Sequence, residues 1–156
     1  GKYRPGHFKA IVDVVDRFIK IIKPKKIFFG EKDMQQLKII EDYTKKNYPN
    51  IKIIGCKTIR EKNGIALSSR NYLLSSKEKN IASNIFKYLQ KNKKQLLRSK
   101  ISFNKTKKII TAMGVKKIDY IEILDINKLT KPFKKKSKYK IFIAYFLGQT
   151  RLIDNI

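Results

Sequence analysis

Between Lys25 and Leu37 the chain changes character three times. Ile27, Phe28 and Phe29 make an apolar run, Gly30 breaks it, and Glu31, Lys32 and Asp33 follow with alternating charge. Met34, Gln35, Gln36 and Leu37 then open a helical pattern. An apolar run this short, ended by glycine and followed at once by a helical period, is how a buried strand of an α/β sheet hands over to a helix. Ligands of such sheets sit at the carboxyl ends of the strands. A lysine flanked by Glu31 and Asp33, at a helix N-terminus beside a glycine, is well placed to meet phosphate.

The flanking sequence supports that reading. Ile11, Val14, Val15, Phe18, Ile21 and Ile22 recur at helical spacing, with Asp13, Asp16 and Arg17 on the other side, and Pro24 stops the helix. A second helix is expected from Asp33 or Met34 to about Lys46, burying Leu37, Ile39, Ile40 and Tyr43, with the turn at Asn47, Pro49 and Asn50. Ile51, Ile53 and Ile54 mark the next strand, which ends at Cys56 and continues loosely through Thr58, Ile59 and Arg60. Helix, strand, helix, strand at this rhythm predicts a parallel sheet with right-handed crossovers. Two strands are too few for such a sheet, so its remaining strands are expected from sequence outside these 156 residues. The opening Gly1-Lys2-Tyr3, without methionine or an apolar leader, fits the same expectation.

The second half reads differently. A polar loop around Gly64 leads to Ser75, an N-cap with Glu78 as its capping-box partner. Ile81, Ala82, Ile85, Phe86, Leu89, Leu96 and Leu97 line the helix that follows, and a further helix from about Asn104 closes at Gly114. Residues 119–125 alternate like a half-buried strand, 132–138 form a charged turn, 141–147 are apolar enough for a central strand, and 151–155 suit a short third one. The predicted fold is α/β: the C-terminal part of a Rossmann-like parallel sheet over residues 1–66, then over 67–156 a small α+β domain of two helices on a three-stranded antiparallel sheet.

A formal net charge of +26 would ordinarily suggest nucleic acid. Only six of the 38 basic residues are arginine, however. Nucleic-acid readers lean on arginine for bidentate and stacking contacts, whereas here lysine is spread throughout, with one run at Lys134, Lys135 and Lys136. A lysine-biased proteome gives the same composition, and non-specific adhesion to RNA or DNA at low salt follows from charge alone. A lysine-rich nucleic-acid-binding module is the alternative function. The one cysteine, Cys56, excludes a disulfide framework, suits a reducing cytosol and reads as a packed strand thiol among apolar neighbours. No apolar run approaches the ~20 residues of a membrane span.

Three polar clusters could carry chemistry. Lys32 either neutralises phosphate charge as a point cation or is a surface lysine paired with Asp33 or Glu31. Gln36 either holds a substrate hydroxyl or carboxylate through its amide or faces solvent. Ser68, Ser69 and Arg70 offer two hydroxyls and a guanidinium, enough to wrap a phosphate chain, and are equally an ordinary turn. Arg4 and His7 form the third cluster. One histidine and one cysteine cannot build a metal site of the usual kind.

Together these motifs are far more specific than their parts. Arg4-Pro5-Gly6-His7-Phe8, then residues 28–37, then Ile65-Ala66-Leu67-Ser68-Ser69-Arg70-Asn71, then Thr150-Arg151-Leu152-Ile153-Asp154-Asn155, in that order and spacing, closely resemble the pantothenate synthetases, or pantoate–β-alanine ligases, over essentially the whole chain. The resemblance implies a cytoplasmic, homodimeric enzyme of the nucleotidyltransferase fold that joins pantoate to β-alanine through a pantoyl-adenylate. ATP is a substrate and Mg²⁺ is carried by its phosphates. It also implies residue roles. Gly30, Glu31, Lys32 and Asp33 match the ATP-binding segment, Gln36 matches a pantoate-binding glutamine, and Ile59 falls where a backbone contact to adenine is expected. Leu67, Ser68, Ser69 and Arg70 match the family's version of the KMSKS loop of class I aminoacyl-tRNA synthetases. Arg4 and His7 border the pantoate pocket in a supporting role. Lys32, Ser68, Ser69 and Arg70 are therefore the expected charge-stabilising residues of catalysis. The family's N-terminal half, with its HIGH-like histidine segment, has no counterpart in these residues. The expectation is thus a C-terminal portion that does not ligate alone.

Overall fold

A computed structural model describes residues 5–98, 101–127 and 138–156. The first helix, α1 (His7–Ile22), starts after Gly6, which takes the left-handed conformation (φ 74°), and the Gly6 carbonyl accepts from Ala10 N–H at 3.0 Å. It ends on Lys23, also left-handed (φ 49°), just ahead of Pro24, whose ring cannot continue a helix. Strand β1 (Lys26–Gly30), a single 3₁₀ turn over Glu31–Asp33, helix α2 (Met34–Asn47) and strand β2 (Lys52–Cys56) follow in order. β1 and β2 pair in parallel, from Lys26 opposite Lys52 to Gly30 opposite Cys56. Helix α2 buries Met34, Leu37 and Ile40. Gly55 leaves the room Leu37 needs, since a Cβ there would lie 3.1 Å from Leu37 Cδ2.

Three expectations for this stretch are corrected. The apolar side of α1 is not its packed side: Ile19 is buried, but Val14, Phe18, Ile21 and Ile22 are exposed. What turns inward instead is Asp16. Its Oδ1 accepts from Tyr43 Oη at 2.6 Å and Tyr48 Oη at 2.5 Å, and its Oδ2 meets Lys20 Nζ at 2.7 Å. Lys20 first, then the two phenols, hold the Asp16 carboxyl well below the usual range; the same bond, helped by burial, pushes Tyr43 up to about 12. Second, β1 is not buried: it alternates, and Phe28 is 63% exposed, because α2 covers one face of this two-stranded sheet. Third, Cys56 is exposed, at a strand end opposite a glycine with no side chain to cover it.

The chain divides into two compact units, Gly1–Thr58 and Ile59–Ile156, so the boundary falls ahead of residue 66. Local bonding explains why the loop after Thr58 goes with the second unit. Arg60 bridges Ala66 across a small hairpin, and Ser83 Oγ in helix α3 (Ser76–Leu97) donates to Asn63 O at 2.7 Å. Helix α3 has the expected capping box between Ser75 and Glu78, and helix α4 (Phe103–Ala112) stops before Gly114 (φ 107°). Strands β3 (Lys117–Asp125), β4 (Tyr139–Leu147) and β5 (Thr150–Asn155) form an antiparallel sheet with β4 central. A bulge in β3 between Ile118 and Tyr120 singles out Asp119, and a two-residue turn at Gly148 and Gln149 joins β4 to β5. Ala82, Ile85, Leu89 and Ile110 from the helices pack with Ile121, Ile141, Ile143 and Leu152 in one apolar core. Of the charged turn expected at 132–138, only Lys138 lies within the described residues.

Candidate functional site

The first cluster sits where the sequence predicts. Gly30 ends β1, and a Cβ there would meet nothing within 4 Å, so the space over the strand end is open. Glu31, Lys32 and Asp33 form the 3₁₀ turn, and α2 begins at Met34, which puts Gln36 in its first turn, half-buried. Lys32 and its neighbours therefore stand at the carboxyl end of a parallel strand, between that strand and a helix N-terminus. The Lys32 side chain is 19% exposed and its Nζ lies 4.0 Å from Asp33 Oδ2. An ion pair at that distance with a half-exposed carboxylate is worth little. His7 is half-buried at the start of α1, its ring 5.5 Å from that of Phe8. Arg4 lies outside the described residues.

The second cluster is built on the hairpin of the other unit. Ile59 O accepts from Leu67 N–H at 2.9 Å, Glu61 N–H donates to Ile65 O at 2.8 Å, and Gly64 N–H closes the turn on Glu61 O at 2.8 Å. Ile59 and Leu67 are exposed at the hairpin's mouth. Among the described residues no backbone carbonyl accepts from the Ile59 N–H. Ser68, Ser69 and Arg70 follow directly: Ser68 Oγ accepts from Arg70 N–H at 3.3 Å and starts the 3₁₀ turn Ser69–Leu73. Ser69 and Arg70 are exposed, and Arg70 Nη1 donates to Arg151 O at 3.2 Å. Gly30, Glu31, Lys32, Asp33 and Gln36 thus share one corner, and Ile59, Leu67, Ser68, Ser69 and Arg70 share one hairpin and turn.

Sequence reasoning missed what holds the hairpin. Arg60 donates from Nη1 to Asp154 Oδ2 at 2.7 Å and from Nη2 to Asp154 Oδ1 at 2.9 Å; it also reaches Gly64 O at 3.0 Å and Asn155 O at 3.2 Å. Its guanidinium lies 4.3 Å from the Phe86 ring centroid, a charge-on-face stacking geometry. Arg60 and Asp154 are 94 residues apart, and no local pattern joins them. The fixed motif Thr150-Arg151-Leu152-Ile153-Asp154-Asn155 was the one available hint. Arg151 itself is spoken for, donating from Nε to the bulged Asp119 Oδ2 at 2.8 Å. Among the described residues no group of three or more His, Cys, Asp or Glu gathers to hold a metal, and no helix is long and apolar enough to cross a membrane.

A family model described as pantoate-beta-alanine ligase matches residues 1–156. The pantothenate synthetase of Sulfurihydrogenibium sp. is 40% identical over 162 residues, which cover 100% of this chain and 58% of that protein. The pantothenate synthetase of Azobacteroides pseudotrichonymphae is 44% identical over 160 residues, covering 100% and 57%. Among solved structures, pantothenate synthetase from Thermus thermophilus superposes with a TM-score of 0.88 at 28% identity, over 100% of this chain and 58% of that one. Pantoate-beta-alanine ligase from Francisella tularensis, complexed with beta-gamma ATP and beta-alanine, gives 0.80 at 34% identity, over 100% and 52%. The chain spans somewhat more than half the length of these relatives.

Proposed function

The chain belongs to the pantoate–β-alanine ligase family, and on that premise we propose that it supplies ATP- and pantoate-binding residues for the ATP-dependent condensation of pantoate with β-alanine. The observation that carries the proposal is the corner at the end of β1. There a mostly covered lysine follows an open strand end, and the first turn of α2 brings a half-buried glutamine directly after it. The Francisella relative's complex with a nucleotide and β-alanine is in keeping with those substrates.

In the proposed reaction a pantoate carboxylate oxygen attacks the α-phosphorus of ATP, the α–β phosphoanhydride bond breaks, and diphosphate leaves. Lys32, Ser68, Ser69 and Arg70 stabilise charge on the phosphates. The Ile59 N–H donates to adenine, and Gln36 orients pantoate through its amide. The β-alanine amine then attacks the acyl carbon of the mixed anhydride, AMP departs, and the new nitrogen loses a proton to give pantothenate. Adenylation replaces a poor leaving group by a good one, and excluding water protects the intermediate from hydrolysis. Mg²⁺ enters with ATP as part of the substrate. His7 has a supporting role at the start of α1.

Titration calorimetry of the purified 156 residues with ATP tests the proposal. Saturable binding is expected, and Lys32→Ala should weaken it by about 1.5–3 kcal/mol, the loss of one charge-assisted contact. The melting temperature should stay unchanged. Absence of saturable binding, or a variant that binds equally well, would refute the assignment. AMP release by the same 156 residues with pantoate and ATP is expected to be negligible, because the HIGH-like histidines are not among them; steady turnover would contradict that.

A further inference from the structure

Resting on that nucleotide-binding proposal, we infer that Asn71 is the positioning residue of the turn formed by Ser68, Ser69 and Arg70. Exposure changes abruptly along this segment: Ser69 and Arg70 are exposed, and Asn71, the next residue, is 5% exposed. The Asn71 amide works in two directions at once. Nδ2 donates to Glu61 Oε1 at 2.6 Å and to Ala66 O at 3.1 Å. The second Glu61 oxygen accepts from Asn63 Nδ2 at 3.3 Å, and Asn63 Oδ1 accepts from Ile65 N–H at 3.0 Å. One carboxylate therefore spans the hairpin turn and the serine-containing turn. The backbone is tied at the same residue, with Asn71 N–H donating to Ser68 O at 3.0 Å and Asn71 O accepting from Leu74 N–H at 3.3 Å.

The cost of this arrangement shows what it is for. Among the described residues nothing hydrogen-bonds to the buried Asn71 Oδ1. Turning the amide over does not help, since the oxygen would then face the Glu61 carboxylate and the Ala66 carbonyl, both acceptors. The site needs two N–H donors on one neutral atom, which an asparagine provides and an aspartate or serine does not. Asn71 gives up its oxygen to place both donors, and thereby fixes where the hydroxyls and guanidinium of residues 68–70 begin. Ile59 has further support of its own, from the backbone bonds of the hairpin and the Arg60–Asp154 pair.

The test uses the 156-residue chain with two probes, ATP and adenosine, and amide hydrogen exchange without ligand. Asn71→Asp sets acceptor against acceptor; exchange over residues 67–74 should rise about tenfold or more while β3 and β4 keep their protection. ATP should bind at least about tenfold more weakly, and adenosine, which lacks phosphates, should bind as before. Combining Asn71→Asp with Glu61→Gln returns a donor to the pair and should recover part of both effects. Asn71→Ser repeats the comparison if the aspartate variant does not fold. Unchanged exchange over 67–74 overturns the inference, and so does equal weakening of ATP and adenosine. If the unsubstituted chain binds neither probe, the nucleotide assignment itself fails, and the exchange comparison alone then decides whether Asn71 anchors the turn.

Discussion

Asp154→Leu removes the bidentate partner of Arg60 and, with it, an acceptor of the Asn155 N–H at 2.8 Å. The Arg60–Asp154 pair is bidentate, with N–O distances of 2.7 and 2.9 Å and side chains 22% and 12% exposed. Exposed ion pairs are worth ~0–1 kcal/mol, and breaking a fully buried one by removing a partner costs ~3–5 kcal/mol. At this burial the loss should lie between, at about 2–3 kcal/mol, because Arg60 keeps only Gly64 O, Asn155 O and the Phe86 face. For a unit of roughly 100 residues each kcal/mol moves the melting temperature by about 4–8 °C, so a fall of roughly 10–20 °C is expected for the transition of the second unit. Calorimetry on the whole chain reads that transition. The decisive comparison adds Arg60→Leu. If the cost comes from a stranded guanidinium, the double variant should recover much of the lost stability, as apolar replacements of buried pairs do. Arg60→Lys should remain impaired, since an ammonium cannot reproduce the fork. A single variant that melts within 2 °C of the unsubstituted chain, or a double variant worse than the sum of both singles, would refute this account.

Three further outcomes follow from the geometry. Gly64→Ala forces a φ of 94° on an alanine and puts its Cβ 2.3 Å from Phe86 Cδ1; the left-handed conformation alone costs about 1–2 kcal/mol, so chemical denaturation should show at least that loss, and an unchanged midpoint would contradict the packing. Tyr43 is held protonated by Asp16 up to about 12 against an ordinary 10.0. Its contribution is therefore fully present below pH 10 and disappears as pH rises toward 12, which circular dichroism of the alkaline transition can follow. Asp16→Asn should flatten that slope, and an identical profile in the variant would dispose of the linkage. Cys56, exposed at the end of β2, should react with a thiol reagent in the native chain within about tenfold of the unfolded rate; burial-like protection would show the strand end to be covered.

How far the sequence could be read depended on how local the determining contacts were. The capping box at Ser75 and Glu78 and the stop at Gly114 are each set within a few residues, and both are seen. The continuous apolar run of β4 marked it as the central strand, which it is. What failed was inference about which way a face turns. The helical period gives α1 two sides without deciding which of them packs, and Asp16 is the residue drawn toward α2, by two phenols 27 and 32 positions away. Apolar neighbours predict burial for Phe28 and Cys56, but burial is decided by what lies across the sheet, and both are exposed. The motifs proposed to form the site were legible in their order; the supports behind them were not, because Arg60 meets Asp154, and Asn71 meets Glu61, only once the chain has folded.

The Arg60 contacts with Asp154 and Asn155 also close a ring. A side chain at the second residue of the second unit grips the chain two and one positions before Ile156, so this unit begins and ends at one place in space. The same closure makes the two ends mutually dependent. Trimming the strand that carries Asp154 would loosen the hairpin that presents Ile59, even though the two are separated by nearly the whole length of the unit.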